Sequence, residues 1–163
     1  NANNTGIWEI RHYVDDFGED TESKFITNSS LITGLFSNSA TTNSRLSVKF
    51  LIDDSDNIAL QLYEYGSNLV DEYHELKYYN VLVQDDDGKR CKFTATLRYD
   101  RLHFYFLGYA EDENGSLDVH EALLKGGEIK FVIEKEGSGT RYSFTIDNAD
   151  FYNNAYRILT EGE

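Results

Sequence analysis

The most reactive side chains in this sequence are one cysteine and four histidines. Cys91 falls in the apolar phase of an alternating segment, which favours a buried, inert thiol over a nucleophile. A single cysteine also excludes an intramolecular disulfide and a multi-cysteine zinc or iron-sulfur site. His74-Glu75 and His120-Glu121 begin the zinc-protease pattern, but no second histidine follows four positions later. The sequence therefore predicts no catalytic cysteine and no zinc-protease site.

Carboxylates are the largest group of candidate catalytic or metal-binding side chains, with 29 Asp and Glu in the chain. Glycoside hydrolysis needs only two carboxyl groups at the correct separation, so the sequence cannot select one pair. Two compact acidic segments offer the hard oxygen ligands that calcium prefers. The candidate calcium ligands are Asp15, Asp16, Asp20, Asp112 and Asn114. Neither segment has EF-hand spacing, and a solvated turn is the alternative interpretation of each.

Neutral polar side chains form a third candidate site. A run of hydroxyl and amide groups occupies residues 37–44, between two predicted strands. Such groups hydrogen-bond a sugar or a peptide backbone without charge, although they also stabilise ordinary turns. Tyrosines add stacking surfaces, and two of them fall on the face opposite Leu60 and Leu62. The candidate ligand-binding residues are Ser37, Asn38, Ser39, Thr41, Thr42, Asn43, Tyr63 and Tyr65.

Strands must position these residues, because apolar and polar side chains alternate with a period of two over most of the chain. Apolar residues alternate on both sides of turns at 53–57, 85–88 and 137–139, which predicts three hairpins. Weaker strands near the N-terminus bring the number to about nine. The chain contains no proline, which fits many ladder-forming residues, since proline removes a hydrogen-bond donor.

Two short helices interrupt the strand pattern. Asp118 and Glu121 have capping-box spacing before a Gly126-Gly127 stop signal, which predicts a helix over about 118–125. Apolar residues at helical spacing predict a second helix over about 149–159. The predicted fold class is therefore mainly β, an antiparallel β-sandwich or partly closed barrel of about nine strands with two short helices.

The length of 163 residues predicts one domain. We expect a flexible N-terminal tether at residues 1–6 and a single β domain at 7–160. The longest apolar stretches are too short for a membrane span. The numbered chain starts at Asn1 and contains no Met, which favours a processed, exported form over a primary translation product.

The formal charge of −14 limits the choice of partners. Nucleic-acid binders place clustered Lys and Arg against phosphates, so we expect no nucleic-acid partner. A well-solvated surface that resists aggregation is the ordinary meaning of such a charge. Basic proteins and divalent cations are the partners that it would attract.

Three segments carry a resemblance to a known family: residues 13–18 (YVDDFG), 34–41 (GLFSNSAT) and 62–66 (LYEYG). They resemble a family of small uncharacterised secreted proteins or lipoproteins of gut anaerobes, and the similarity covers nearly the whole chain. This resemblance implies an exported, mainly β protein that is periplasmic, anchored to the outer membrane or extracellular. It also implies a lipid anchor on the unprocessed chain, and it transfers no catalytic residue. The order of elements near the C-terminus is similar to a type VI secretion accessory family, whose cysteines this sequence lacks.

These observations predict an exported, non-enzymatic binding or interaction module for a glycan, peptide or protein ligand. Two alternatives stay open at this point. One is a hydrolase that uses a carboxylate pair. The other is an acidic inhibitor or immunity-type protein, whose negative charge would steer association with a basic partner. No cofactor is predicted apart from the calcium discussed above.

Overall fold

A computed structural model of the chain describes residues 3–54, 57–104 and 115–162, except for the side chains of 72–74. The strands are β1 (Trp8–Val14), β2 (Asp20–Asn28), β3 (Ile32–Ser37), β4 (Ser44–Asp53), β5 (Ile58–Glu64), β6 (Asn68–Leu69), β7 (Glu72–Gln84), β8 (Arg90–Tyr99), β9 (Arg101–His103), β10 (Ile129–Lys135) and β11 (Arg141–Ile146). The helices are α1 (Gly115–Lys125) and α2 (Tyr152–Glu161). No helix in these ranges combines the length and the apolar character that crossing a membrane requires.

Eight antiparallel strands close into a barrel in the order β4-β3-β11-β10-β7-β8-β9-β5. Closure comes from β5, which pairs with β9 on one edge and with β4 on the other. The β1–β2 hairpin lies outside the closed ring and joins it through a short pairing of β2 with β4. The predicted mainly β fold with two helices is confirmed, and the barrel is fully closed.

Aromatic side chains fill the barrel interior. Phe131 stacks on Phe144, with 4.7 Å between ring centroids, and meets Phe50 edge-on at 5.8 Å. The alternating apolar residues of each hairpin point into this core, as the period of two predicts. Trp8 extends the cluster toward α2, with its ring 5.7 Å from Phe50 and 5.5 Å from Tyr152. The interior is therefore packed with side chains.

Both helices begin at residues other than the predicted ones. α1 starts at Gly115, so Asp118 lies in its first turn and is not the N-cap. The hydroxyl of Ser116 accepts a hydrogen bond from the backbone N–H of Ile58 in β5, a tertiary contact at the helix start. The Gly126 stop is confirmed, since its N–H donates to carbonyls of the last turn and its φ is +77°.

α2 begins at Tyr152, three residues after the predicted start at 149. Asp150 does not cap it, because its Oδ1 accepts a hydrogen bond from the Gly127 N–H at 2.8 Å. Near the other end of the chain, the carbonyl of Asn4 accepts a hydrogen bond from the Asn154 side chain at 2.7 Å. The segment predicted as an N-terminal tether therefore contacts α2 at residue 4.

The turn between β7 and β8 is organised by the buried carboxylate of Asp85. Its Oδ1 accepts hydrogen bonds from the backbone N–H groups of Asp87 and Lys89, at 3.0 and 2.9 Å. Its Oδ2 accepts one from Lys125 Nζ of α1 at 2.8 Å. The hydrogen bond from Lys125 holds the pKa of Asp85 below its ordinary value, although burial acts in the opposite direction.

Replacing Asp85 by Ala should lower the free energy of unfolding by about 2 kcal/mol at pH 7, because hydrogen bonds to a charged acceptor are lost. The folded pKa lies below the unfolded one, so this stabilisation is present at neutral pH and disappears as the pH falls below about 4. Urea unfolding at pH 7 and below about pH 4 measures the loss of stability in the Asp85→Ala protein and its disappearance in acid. Asp87→Ala is the control, since that side chain is 73% exposed in the same turn. Equal losses of unfolding free energy in the Asp85→Ala and Asp87→Ala proteins would contradict the conclusion that Asp85 organises this turn.

Candidate functional site

Four side chains of the polar loop at residues 37–44 form hydrogen bonds within the loop, namely Ser37, Asn38, Thr41 and Ser44. Asn38 Oδ1 accepts hydrogen bonds from two backbone N–H groups of the loop, at 2.8 and 3.0 Å. Ser37 Oγ accepts one from the Asn43 N–H at 2.9 Å, and the hydroxyls of Thr41 and Ser44 bond each other. These contacts are those of a stable turn. The side chains of Ser39, Thr42 and Asn43 take no part in these bonds and are exposed.

The remaining predicted ligand-binding residues lie in different surroundings. Ser39 and Thr42 are exposed in the loop. Tyr65 follows β5 with a φ of +57° and packs edge-on against Phe36, at 4.9 Å between ring centroids. Tyr63 lies on the outer face of β5, away from the loop. The structure therefore does not bring the eight predicted residues together, and Tyr63 borders a surface cavity.

Tyr63 lines a cavity of about 370 Å³ that we call the Tyr63 depression, formed with residues 28–31, 47–49 and Gly66. The Tyr63 hydroxyl donates to Gln61 Oε1 at 3.1 Å, and burial, followed by the nearby Asp100 carboxylate, raises the pKa of Tyr63. Ser47 also lines this depression. Its side chain is only 3% exposed, and its Oγ has no hydrogen-bond partner among the residues that the structure describes.

A larger cavity of about 670 Å³ lies between β3 and β11, and we call it the wall cleft. β3 pairs with β11 at four positions, from Ser37 opposite Arg141 to Gly34 opposite Phe144. β11 then continues to Ile146 in register with β10, and β3 extends to Ile32 in register with β4. Both strands thus continue past the end of their common ladder, and the cleft opens where they separate.

The wall cleft combines apolar and polar side chains. Leu31 and Leu35 lie on its β3 side and are 63% and 46% exposed. Thr145 lies on its β11 side, and Phe131 and Phe144, whose rings are buried in the core, also border it. An exposed leucine pair beside a gap in a sheet is the kind of surface that binds another chain.

The wall cleft continues into two neighbouring cavities. Leu31 lines both the wall cleft and the Tyr63 depression. Val132 lines both the wall cleft and a cavity of about 560 Å³ on the outer face of β7, β8, β10 and β11, which also includes Lys92 and Arg141. The three cavities together form an extended recessed surface on the barrel wall, as wide as several strands. An elongated ligand fits such a shape better than a compact one.

Sequence reasoning did not identify the wall cleft. The cleft depends on where the pairing between β3 and β11 stops, and these strands are about a hundred residues apart in the chain. The exposed Leu31 and Leu35 were the available signal, because they fall on the polar face of β3 while Ile32 and Phe36 are buried.

The acidic segment proposed for calcium is a turn in its described part. Asp15 Oδ1 accepts hydrogen bonds from the backbone N–H groups of Phe17 and Glu19, both at 2.9 Å. Asp16 and Asp20 are exposed beside it. In the described ranges, no three His, Cys, Asp or Glu side chains lie together as a metal site requires. Asp112 and Asn114, the other proposed calcium ligands, lie outside the described residues.

Cys91 and the acidic groups nearest to it border a cavity of about 40 Å³ under α1. Burial raises the pKa of the Cys91 thiol to about 11, and the Asp118 carboxylate adds to the effect. The cavity also includes the carboxylates of Asp85 and Glu121, but its volume is close to that of one water molecule, about 30 Å³. A protonated thiol in a space of this size fits a half-buried structural cysteine better than a nucleophile.

Comparison of this chain with family models, with curated proteins and with solved structures finds no match.

Proposed function

We propose that this protein is an exported, non-enzymatic binding module that takes up an extended peptide segment of a partner protein in the wall cleft. The observation that carries the proposal is the divergence of β3 and β11, which both continue after their common ladder ends. Strand edges of this kind recruit a peptide through main-chain hydrogen bonds. Pockets for alternate side chains then add specificity.

The sides of the cleft support this choice of ligand. Leu31 and Leu35 offer apolar surface at the rim, and covering the exposed half of such a side chain on binding is worth about 1 kcal/mol. Neighbouring cavities extend the surface on both sides, so that a segment of several residues has contacts along its length. A compact small molecule would use only a fraction of this surface.

A glycan is the second candidate ligand, and one observation favours it. The Tyr63 depression presents a tyrosine ring, which offers a sugar an apolar face to stack on. This depression is smaller than the wall cleft, so a glycan would use a part of the surface available to a peptide.

Selection from a display library of random peptides of about 12 residues tests the proposal, with the purified protein as the target. We expect selected peptides to lose about tenfold in affinity when Leu35 is replaced by Ser, since roughly 1.4 kcal/mol corresponds to tenfold. Leu117→Ser is the matched control, because Leu117 is 50% exposed on α1 and lines none of the three cavities. Fluorescence anisotropy measures the affinities.

Two results would overturn the peptide proposal. One is the recovery of no peptide whose binding depends on Leu35. The other is glycan-array binding that Tyr63→Ala abolishes while Leu35→Ser leaves it unchanged, which would establish the second candidate in its place.

A further inference from the structure

The hydrogen bonds between β10 and β11 fix the direction in which the main-chain groups of β11 point. The N–H of Lys135 donates to the carbonyl of Thr140 at 3.0 Å, so these two residues form a hydrogen-bonded pair of the antiparallel ladder. Such pairs alternate with pairs that exchange no hydrogen bonds, and the register of the two strands is continuous. The N–H and C=O groups of Arg141, Ser143 and Thr145 therefore point away from β10, toward β3.

One hydrogen-bonded pair is missing where β3 and β11 separate. Ser143 forms such a pair with Leu35 of β3. The next one, two residues along each strand, would join Thr145 to Thr33, but the ladder ends at Gly34. Among the described residues, Thr33 and Thr145 have strand partners only on their other sides, in β4 and β10. The cleft therefore has two strand edges, each with a main-chain donor and acceptor that no described residue pairs.

The β3 edge is the better of the two for an added strand. Thr33 is flanked at alternate positions by Leu31 and Leu35, and all three residues are exposed. Alternate side chains share one face of a sheet, so an added strand would place its outward side chains beside the leucines. The β11 edge leads instead from Thr145 to the exposed Asp147, which offers no apolar contact. The β3 edge alone combines unpaired main-chain groups with exposed apolar side chains on the same face.

The intact part of the ladder limits how a strand can lie on this edge. At Gly34 the backbones of β3 and β11 are so close that a Cβ atom would lie 2.1 Å from the carbonyl oxygen of Ser143. No third strand passes between them there, so an added segment must end or leave the sheet at this point. Antiparallel pairing is more stable than parallel pairing. A segment antiparallel to β3 has its N-terminal end at Gly34.

We infer that a peptide bound in the wall cleft adds to β3 as an antiparallel strand, with its N-terminal end at Gly34 and its C-terminal end beyond Leu31. This inference rests on the proposed function and specifies how its ligand is held. The N–H of Thr33 donates to a ligand carbonyl, and the C=O of Thr33 accepts from the N–H of the same ligand residue. An apolar side chain two residues further along the ligand lies beside Leu31.

Amide hydrogen exchange in the protein without peptide, followed by NMR, tests the open edge. The Thr33 amide should exchange at least about tenfold faster than the Leu35 amide, because Leu35 is paired with Ser143 and Thr33 faces the cleft. Equal protection of the two amides would overturn the inference, since the edge would then already be paired.

The tightest peptide from the library selection is the probe of the bound state. Each residue of this peptide is N-methylated in turn, which removes one main-chain donor, and fluorescence anisotropy measures the affinity. We expect a loss of about tenfold at the residue opposite Thr33 and less than about threefold at its two neighbours, whose N–H groups point away from β3. Binding should also slow exchange of the Thr33 amide and leave the Thr145 amide unchanged. Protection of Thr145 in place of Thr33 would overturn the choice of the β3 edge.

The direction of the bound strand is tested with a nitroxide label at one end of the same peptide. A label at the N-terminus should broaden the NMR signal of the Ser143 amide more than that of Leu31, because Ser143 lies beside Gly34 at the closed end of the cleft. A label at the C-terminus should do the reverse. The opposite pattern would overturn the antiparallel orientation.

A matched pair of proline variants locates the hydrogen bonds on the protein. Thr33→Pro removes the donor that faces the cleft and should weaken binding of the selected peptide by at least about tenfold. Thr145→Pro removes the equivalent donor of the other edge and should leave the affinity unchanged. Both changes fall on strand edges, where proline is tolerated, and urea unfolding measures whether each variant is folded. If Thr33→Pro does not fold, the N-methylated peptides decide the question.

The outcomes separate this inference from the proposed function. Peptide binding that depends on Leu35 but is insensitive to N-methylation at every position would overturn strand addition and retain the peptide site. A library selection that yields no peptide dependent on Leu35 would overturn both.

Discussion

Phe131→Ala is expected to lower the free energy of unfolding by about 4 kcal/mol, which is among the largest effects of any single substitution in the barrel. Phe131 is 1% exposed and lies between three other phenylalanine rings. It stacks on Phe144 at 4.7 Å and on Phe104 at 6.1 Å, and Phe50 meets its edge at 5.8 Å. Truncation removes all three ring contacts and leaves a cavity that the closed ring of strands cannot easily collapse to fill.

Thermal and urea unfolding measure this effect, and the melting temperature should fall by on the order of 10 °C for a chain of this length. Phe17→Ala is the matched control, because Phe17 is 90% exposed in the β1–β2 turn and should change the free energy by less than about 0.5 kcal/mol. The loss of unfolding free energy in Phe131→Leu should lie between those of Phe131→Ala and Phe17→Ala, since leucine retains part of the buried volume. A Phe131→Ala protein as stable as the Phe17→Ala protein would contradict this account of the core.

The strands could be predicted from the sequence because the barrel has one buried and one solvated face. Val81, Val83, Phe93 and Ala95 recur at every second position of their strands and are all buried in the core. A local period of two is enough to identify such strands and their hairpins. The closure of the barrel could not be predicted in this way, because it depends on β5 pairing with β4 and β9 at the same time. No local pattern in the sequence encodes such non-local pairings.

The helix starts illustrate the same limit. The Asp118 to Glu121 spacing is a local signal, and α1 nevertheless begins at Gly115. The early start brings Ser116 into a buried hydrogen bond with Ile58, which is 58 residues away. The Gly126 stop was predictable because a left-handed glycine ends a helix without help from distant residues.

Of the predicted ligand-binding residues, Tyr63 borders one of the cavities described above. Its position on the outer face of β5 follows from alternation, and the adjacent depression does not. The loop around Asn38 has a composition suited to binding and uses it to stabilise its own turn. Composition alone cannot distinguish these two uses, because each needs the same donors and acceptors.

Gly34 lies at the last pair of the β3–β11 ladder and allows the two strands to approach closely. A Cβ atom at this position would lie 2.1 Å from the carbonyl oxygen of Ser143 and 2.7 Å from Phe144 Cβ. Heavy atoms do not approach to 2.1 Å without a bond, and the nearest obstacle is backbone, which no change of rotamer can remove. The strands must therefore move apart to accept any side chain here, at the point where the wall cleft begins.

Gly34→Ala should accordingly lower the free energy of unfolding by about 3 kcal/mol, the upper part of the usual range for overpacking. Gly139→Ala is the control, because no heavy atom lies within 4 Å of the added methyl group in that hairpin turn. Amide hydrogen exchange tests the location of the effect, since a local loss of pairing exposes amides without global unfolding. Exchange at Leu35 and Ser143 should accelerate more than exchange at Val81 in the β7–β8 ladder, because separation of β3 from β11 widens the cleft first. Uniform acceleration across all three amides would show that the substitution destabilises the whole barrel and not the β3–β11 ladder in particular.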